Sequence, residues 1–175
     1  MSEILGKLAG KVSDETTPAL NIVLVRPEIP QNTGSIGRLA AATRTRLHLV
    51  GPLGFSLEDR YLKRAGLDYW PLIDLVTYAG WDEFVGANPD ARLKCFSTHA
   101  NRIYTDAAYA SGDYLVFGCE TKGLGREFID ERADDSYRIP ILESGVRSLN
   151  LSNAVSIVVY EAMRQLGVME SEGLR

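Results

Sequence analysis

Short apolar runs that do not alternate with polar residues constrain this chain more than any other feature. Residues 21–25 read Asn-Ile-Val-Leu-Val, residues 47–50 read Leu-His-Leu-Val, and residues 113–118 read Asp-Tyr-Leu-Val-Phe-Gly. A strand with one face in water alternates apolar and polar side chains, whereas a strand covered on both faces has no need to. Breakers close each run: Pro27 and Pro30 after the first, Gly51-Pro52 after the second, Gly118 at the end of the third. Between and after them lie helical stretches. Residues 34–43 are Ala-rich. Ser56 and Asp59 make a weak capping box for a helix over 56–65. Shorter helices are expected at 81–87 and 126–132, and strands at 94–98 and 137–141. Pro140 puts the latter strand at a sheet edge or makes it end there. A last helix over 151–166 carries an apolar stripe, Val155, Val158, Val159, Ala162 and Leu166, and stops at Gly167. Strands alternating with helices imply an α/β fold with a mainly parallel sheet and flanking helices.

A chain of 175 residues fits one domain, read here as 19–175 behind an extension over 1–18. That length buries a core without metals or disulfides. Cys95 and Cys119 form no CxxC pair, and the two histidines, His48 and His99, have no cysteine beside them, so neither a disulfide nor a metal site is expected. No run is long enough to cross a membrane and no leader is visible, which sets the expectation of a cytoplasmic protein. A net charge of −4 speaks weakly against nucleic acid, but the charge is unevenly spread. Residues 26–64 hold seven basic side chains against three acidic ones. A basic front half on an acidic body suits a phosphate backbone, and equally a solvated face.

Three loop-to-helix segments can carry chemistry. In the first, Pro30 and Asn32 open a helix in which Gly34 and Gly37 precede Arg38. Helix amides beside a guanidinium suit a phosphate or ribose; an Asn-capped helix with a surface arginine is the plainer reading. The second runs from Phe117 through Gly118, Cys119, Glu120, Gly123 and Gly125, just past a buried strand, where open α/β sheets bind ligands. It matches neither a dinucleotide fingerprint nor a Walker loop, and alone it is also an ordinary glycine-rich turn. In the third, Ser148, Asn150, Ser152 and Asn153 crowd the start of the last helix with more polar groups than one cap needs. No Gly-x-Ser-x-Gly elbow exists, and the cysteines lack a local histidine, which disfavours a serine or cysteine hydrolase.

In this order and at these distances, the three segments resemble the motifs of the SpoU branch of the SPOUT methyltransferases, and most closely its small members that methylate the wobble nucleotide of tRNA. Further matching stretches are 27–34, 64–69 and 160–167. The resemblance implies a C-terminal trefoil knot, a homodimer, and ribose 2′-O-methylation of tRNA (cytidine 34 or a modified uridine 34) with S-adenosylmethionine and no metal. It implies a cofactor pocket of Phe96, Gly118, Ile139, Ser148 and Leu149, and reaction residues Asn32, Arg38, Glu120, Ser148 and Asn150. Arg38 is expected to hold the ribose and its phosphate and to stabilise the developing oxyanion, with Asn32 and Glu120 orienting it. Cys119 and Trp70 depart from the pattern, standing where proline and histidine are expected; these bear on the pocket wall and on RNA contact. Another tRNA position, ribosomal RNA, a non-catalytic RNA-binding module and a generic nucleotide-binding enzyme remain as rival readings.

Overall fold

The computed structural model describes residues 19–57 and 69–168. The extension over 1–18 and most of the helix expected over 56–65 lie outside the described residues. Seven strands form one sheet: β1 (Leu20–Val25), β2 (Arg46–Val50), β3 (Leu75–Tyr78), β4 (Leu93–Phe96), β5 (Arg102–Ile103), β6 (Asp113–Phe117) and β7 (Ser136–Arg138). Their spatial order is β3-β2-β1-β6-β4-β7-β5, and every pairing is parallel. Among the described residues, four α-helices accompany it: α1 (Pro30–Thr43), α2 (Trp81–Ala87), α3 (Arg126–Asp130) and α4 (Leu151–Gln165).

The unbroken apolar runs became central strands because both faces are covered. All six residues of β1 are buried. Leu20, Ile22 and Leu24 face one core with Ile36 and Ala40 of α1 and Val155, Val158, Val159 and Ala162 of α4. Val23 and Val25 face a second core with Phe84 of α2 and Ile129 of α3. The α4 stripe is therefore core, as its spacing predicted, with Leu166 half-buried at its end. Cys95 sits in the second core, where burial pushes its thiol up to about 12. Both cysteines are free.

Several boundaries differ from expectation. The strand expected over 137–141 stops at Arg138, because Pro140 lacks the N–H that a ladder needs. That strand is no edge: β7 lies between β4 and β5. Helix α1 starts four residues earlier than its Ala-rich body, with Pro30 at its first turn and Ile29 as cap. Asn32 is therefore not the cap. Its side chain is free for other partners. Strands β3 and β5 were not anticipated. No helix among the described residues is long and apolar enough to cross a membrane.

Candidate active site

Parallel pairing puts the carboxyl ends of all the strands on one edge. From β1 the chain turns through α1 toward β2; from β6 it turns through α3 toward β7, on the other side of the sheet. Opposite directions of travel put α1 and α3 on opposite faces. The crevice between the ends of neighbouring β1 and β6 is a topological switch point, where open α/β sheets take their ligands.

Two glutamates clasp across that crevice. Glu120, after β6, accepts from the backbone N–H of Glu28 at 2.8 Å and of Ile29 at 3.2 Å. Glu28, after β1, accepts in return from the N–H of Thr121 at 3.2 Å and its hydroxyl at 2.9 Å. Glu28 and Thr121 were missed in the sequence. The available signal was a carboxylate held between Pro27 and Pro30 at the exit of a buried strand.

The same Glu120 carboxylate gathers the third segment through a chain of amides. Asn32 Nδ2 donates to Glu120 Oε1 at 2.9 Å, and Asn150 Nδ2 donates to Asn32 Oδ1 at 2.9 Å. Asn150 Oδ1 caps α4, accepting from the Ser152 N–H at 2.9 Å, the Ser152 hydroxyl at 2.6 Å and the Asn153 N–H at 3.4 Å. Every donor in this chain points the same way, from the start of α4 to the carboxylate, an arrangement in which each bond polarises the next. Expected site residues Asn32, Glu120 and Asn150 are thus in direct contact, although they stand 88 and 118 residues apart in pairs.

Arg38 is brought to the same helix but not to the same contacts. It is exposed, and its guanidinium carbon lies 4.7 Å from the centroid of the Tyr69 ring. No hydrogen bond or ion pair joins it to Asn32 or Glu120 among the described residues, so those two side chains do not orient it directly. Tyr69 was not singled out from sequence, though it ends the matching stretch 64–69. Trp70 is half-buried and packs against α1, its ring carbons 3.4 and 4.0 Å from where a Cβ on Gly37 would stand.

The expected cofactor residues line the same edge. Phe96, at the end of β4, is buried and stacks on Phe117 at 4.9 Å. Gly118 is buried where the loop folds back on itself; a Cβ there would meet the Gly123 carbonyl carbon at 2.0 Å and the Leu124 nitrogen at 2.2 Å. Only glycine fits. Cys119 is half-buried and holds that turn twice: its carbonyl accepts from the Gly123 N–H at 2.9 Å, and its thiol donates to the Gly123 carbonyl at 3.7 Å. Ile139 and Leu149 are half-buried and Ser148 is exposed. Between 139 and 149 the backbone makes one hydrogen bond with other backbone among the described residues, Val146 N–H to Glu143 C=O. Gly145 N–H adds a bond to the Glu143 side chain. Residues 142–148 are exposed, so their peptide groups are open to solvent or to a ligand. No group of three His, Cys, Asp or Glu able to hold a metal occurs among the described residues.

Fold and site together define an α/β protein with a ligand crevice at the switch point of a parallel sheet. The chain belongs to the SpoU rRNA Methylase family, whose pattern matches residues 19–160. It is 50% identical over 153 residues to a tRNA (cytidine(34)-2′-O)-methyltransferase of Saccharophagus degradans, covering 87% of this chain and 99% of that one. A solved structure described as giving insight into the 2-OH methylation of C/U34 on tRNA superposes with a TM-score of 0.80 at 45% identity, covering 85% of this chain and 97% of that one. A SpoU methyltransferase of Streptomyces viridochromogenes, solved with the cofactor AdoMet, superposes with a TM-score of 0.74 at 26% identity, covering 87% of this chain and 60% of that one.

Proposed function

We propose that this chain transfers a methyl group from S-adenosylmethionine to the ribose 2′-hydroxyl of the wobble nucleotide of tRNA. The observation that carries the reading is the Glu120–Asn32–Asn150 chain, which ties three distant segments into one polar edge and leaves Ser148 and Arg38 exposed there. Relatives acting at position 34 supply the substrate.

The residues present fit the cofactor. Exposed peptide groups over 142–148 offer donors and acceptors to an adenine, Phe96 and Ile139 offer apolar wall, and the Ser148 hydroxyl and Leu149 backbone offer polar contacts. S-adenosylmethionine supplies an electrophilic methyl group on a sulfonium. Arg38 would hold the ribose and its phosphate and stabilise the oxyanion that grows on the 2′-oxygen. A guanidinium stays protonated, so Arg38 is not the base. Glu120 accepts from three N–H donors and acts as the knot of the hydrogen-bond chain. The departing proton is left to the phosphate of the substrate or to solvent. Asn32 and Asn150 hold the edge together, with Asn150 lining the ribose.

The same reading includes a cytoplasmic homodimer of one domain over 19–175, with the trefoil knot near its C-terminus. Ile29, Val146, Ile157 and Tyr160 are exposed apolar side chains that a second copy would cover. For the knot, β7 lies inside the sheet, yet the chain after it returns to Asn32 and α1. The test is mass-spectrometric mapping of methylated ribose in tRNA treated with enzyme and S-adenosylmethionine. Methylation of the wobble nucleotide is expected; methylation only at another tRNA position or only in ribosomal RNA overturns the substrate, and none in either overturns the activity.

A further inference from the structure

The Arg38 side chain raises a physical problem that the residues around it solve. A long guanidinium arm on an exposed helix face samples many rotamers, and ordering it opposes catalysis. A carboxylate would fix it, but would also occupy the forked N–H groups that a ribose and a phosphate need. Stacking on an aromatic face fixes the plane of the guanidinium and leaves its in-plane N–H donors pointing outward.

From this geometry we infer that Tyr69 is the positioning residue for Arg38; the inference rests on the reading of Arg38 given above. The ring lies 4.7 Å below the guanidinium carbon. Its own position is fixed by the helix that carries the arginine: the Tyr69 hydroxyl donates to the Gly34 carbonyl oxygen at 3.1 Å, one turn before Arg38. The following residues clamp the same face. Leu72 N–H donates to the Tyr69 carbonyl at 2.8 Å and Ile73 N–H to the Trp70 carbonyl at 3.2 Å, making a tight turn. Ile73 is buried, and a Cβ on Gly37 would come within 2.8 Å of its Cδ1. The absence of a side chain at Gly37, just before Arg38, therefore opens the track on which this turn sits, and the turn presents the ring to the arginine. Tyr69 touches no reacting atom in this scheme. It acts through Arg38 alone.

The experiment is a double-variant cycle on the full chain, read as single-turnover methyl transfer to tRNA with enzyme in excess. Tyr69→Phe keeps the ring face and should retain the rate within about twofold. Tyr69→Leu removes the face and should lower the maximal rate by about tenfold, with the KM for S-adenosylmethionine unchanged. Tyr69→Met, flexible and close in bulk, should do the same if the leucine variant folds poorly. In an Arg38→Ala background, loss of the ring should add less than twofold, because the group it positions is gone. Equal losses in both backgrounds would mark Tyr69 as merely structural and overturn the inference. So would a normal rate for Tyr69→Leu beside a slow Arg38→Ala. A normal rate for Arg38→Ala would instead overturn the reading of Arg38 itself.

Discussion

Two one-way chains of hydrogen bonds cross this molecule, and they differ in what each end is left to do. The first runs from the Ser152 and Asn153 amides through Asn150 and Asn32 to Glu120, on the open carboxyl edge of the sheet. The second lies across the face covered by α2. There the Tyr114 hydroxyl donates to Asn88, Asn88 Nδ2 to the Tyr78 oxygen, and Tyr78 and Asn21 hold the two nitrogens of His48 at 3.0 and 3.1 Å. Asn21 Nδ2 then donates to the Gly112 carbonyl. That last bond leaves Asn21 Oδ1 as the acceptor, so His48 carries its proton on Nε2 and accepts from Tyr78 at Nδ1. The second chain ends on a backbone carbonyl, with His48 1% exposed at its centre and Tyr114, Asn88 and Tyr78 partly buried around it. The open chain starts beside the exposed residues 142–148 and ends on the Glu120 carboxylate. Similar amide chemistry therefore supports the fold in one place and frames a ligand site in the other, and burial decides which.

The largest expected effect is on the buried chain and comes from acid. Desolvation, aided by nearby Arg46, lowers the His48 pKa to about 4 from the ordinary 6.5. The folded state thus binds the proton more weakly than the unfolded chain does. The corresponding stability is fully present above about pH 6.5 and is lost as pH falls toward 4. A shift of this size corresponds to about 3 kcal/mol. Chemical denaturation at pH 7 and pH 4 should show wild type losing about that much more than His48→Gln, whose side chain does not titrate. Parallel losses in the two proteins would mean that His48 is not the group that makes this chain acid-sensitive.

Next comes the open chain. In Glu120→Gln one oxygen becomes an NH2 that faces an N–H of Glu28, Ile29 or Asn32 where an acceptor stood. The crevice between β1 and β6 then loses its shared acceptor. Small misplacements of reacting groups are costly, so methyl transfer should fall by about a hundredfold. Stability should fall by only about 1–3 kcal/mol, measured by denaturation of the same preparation. A variant that lost stability yet kept its rate would erase the distinction between the two chains.

The difference between them also explains what could be read before the fold was known. The central strands were legible because burial on both faces leaves an unbroken apolar run, and α4 because its stripe has a helical period. β3 was not, since three of its four residues are only partly buried and the fourth is exposed; β5 has two residues and no pattern to find. The three site segments were visible singly as clusters of polar and glycine residues. Their wiring was not: a bond between Asn150 and Asn32 spans 118 residues and follows from strand order, which local sequence does not encode. The plainer reading of Asn32, as a helix cap, fails for the same reason. Pro30 and Ile29 start the helix, and the side chain that would have capped it is engaged by Glu120 and Asn150. Arg38 was seen, but its partner Tyr69 lies beyond the next strand and was not.

The smallest effect separates the two regions most cleanly. Tyr78→Phe keeps the ring that stacks on His48, 5.8 Å between centroids and 12° between planes, and removes only the hydroxyl. His48 Nδ1 then loses its donor, and Asn88 Nδ2 keeps only its bond to the Phe84 carbonyl. One unsatisfied buried acceptor costs about 1–2 kcal/mol. None of these residues reaches the crevice, so the methyl-transfer rate at pH 7 should be unchanged within about twofold, the spread expected when sites are uncoupled. The loss of Tyr78 also removes a bond that favours neutral His48, which brings its folded pKa closer to the unfolded value, so the acid-dependent loss should be smaller in the variant and complete at a higher pH. A rate that fell with the stability would show that the His48 chain reaches the open edge through β1, which carries Asn21 at one end and leads to Glu28 at the other.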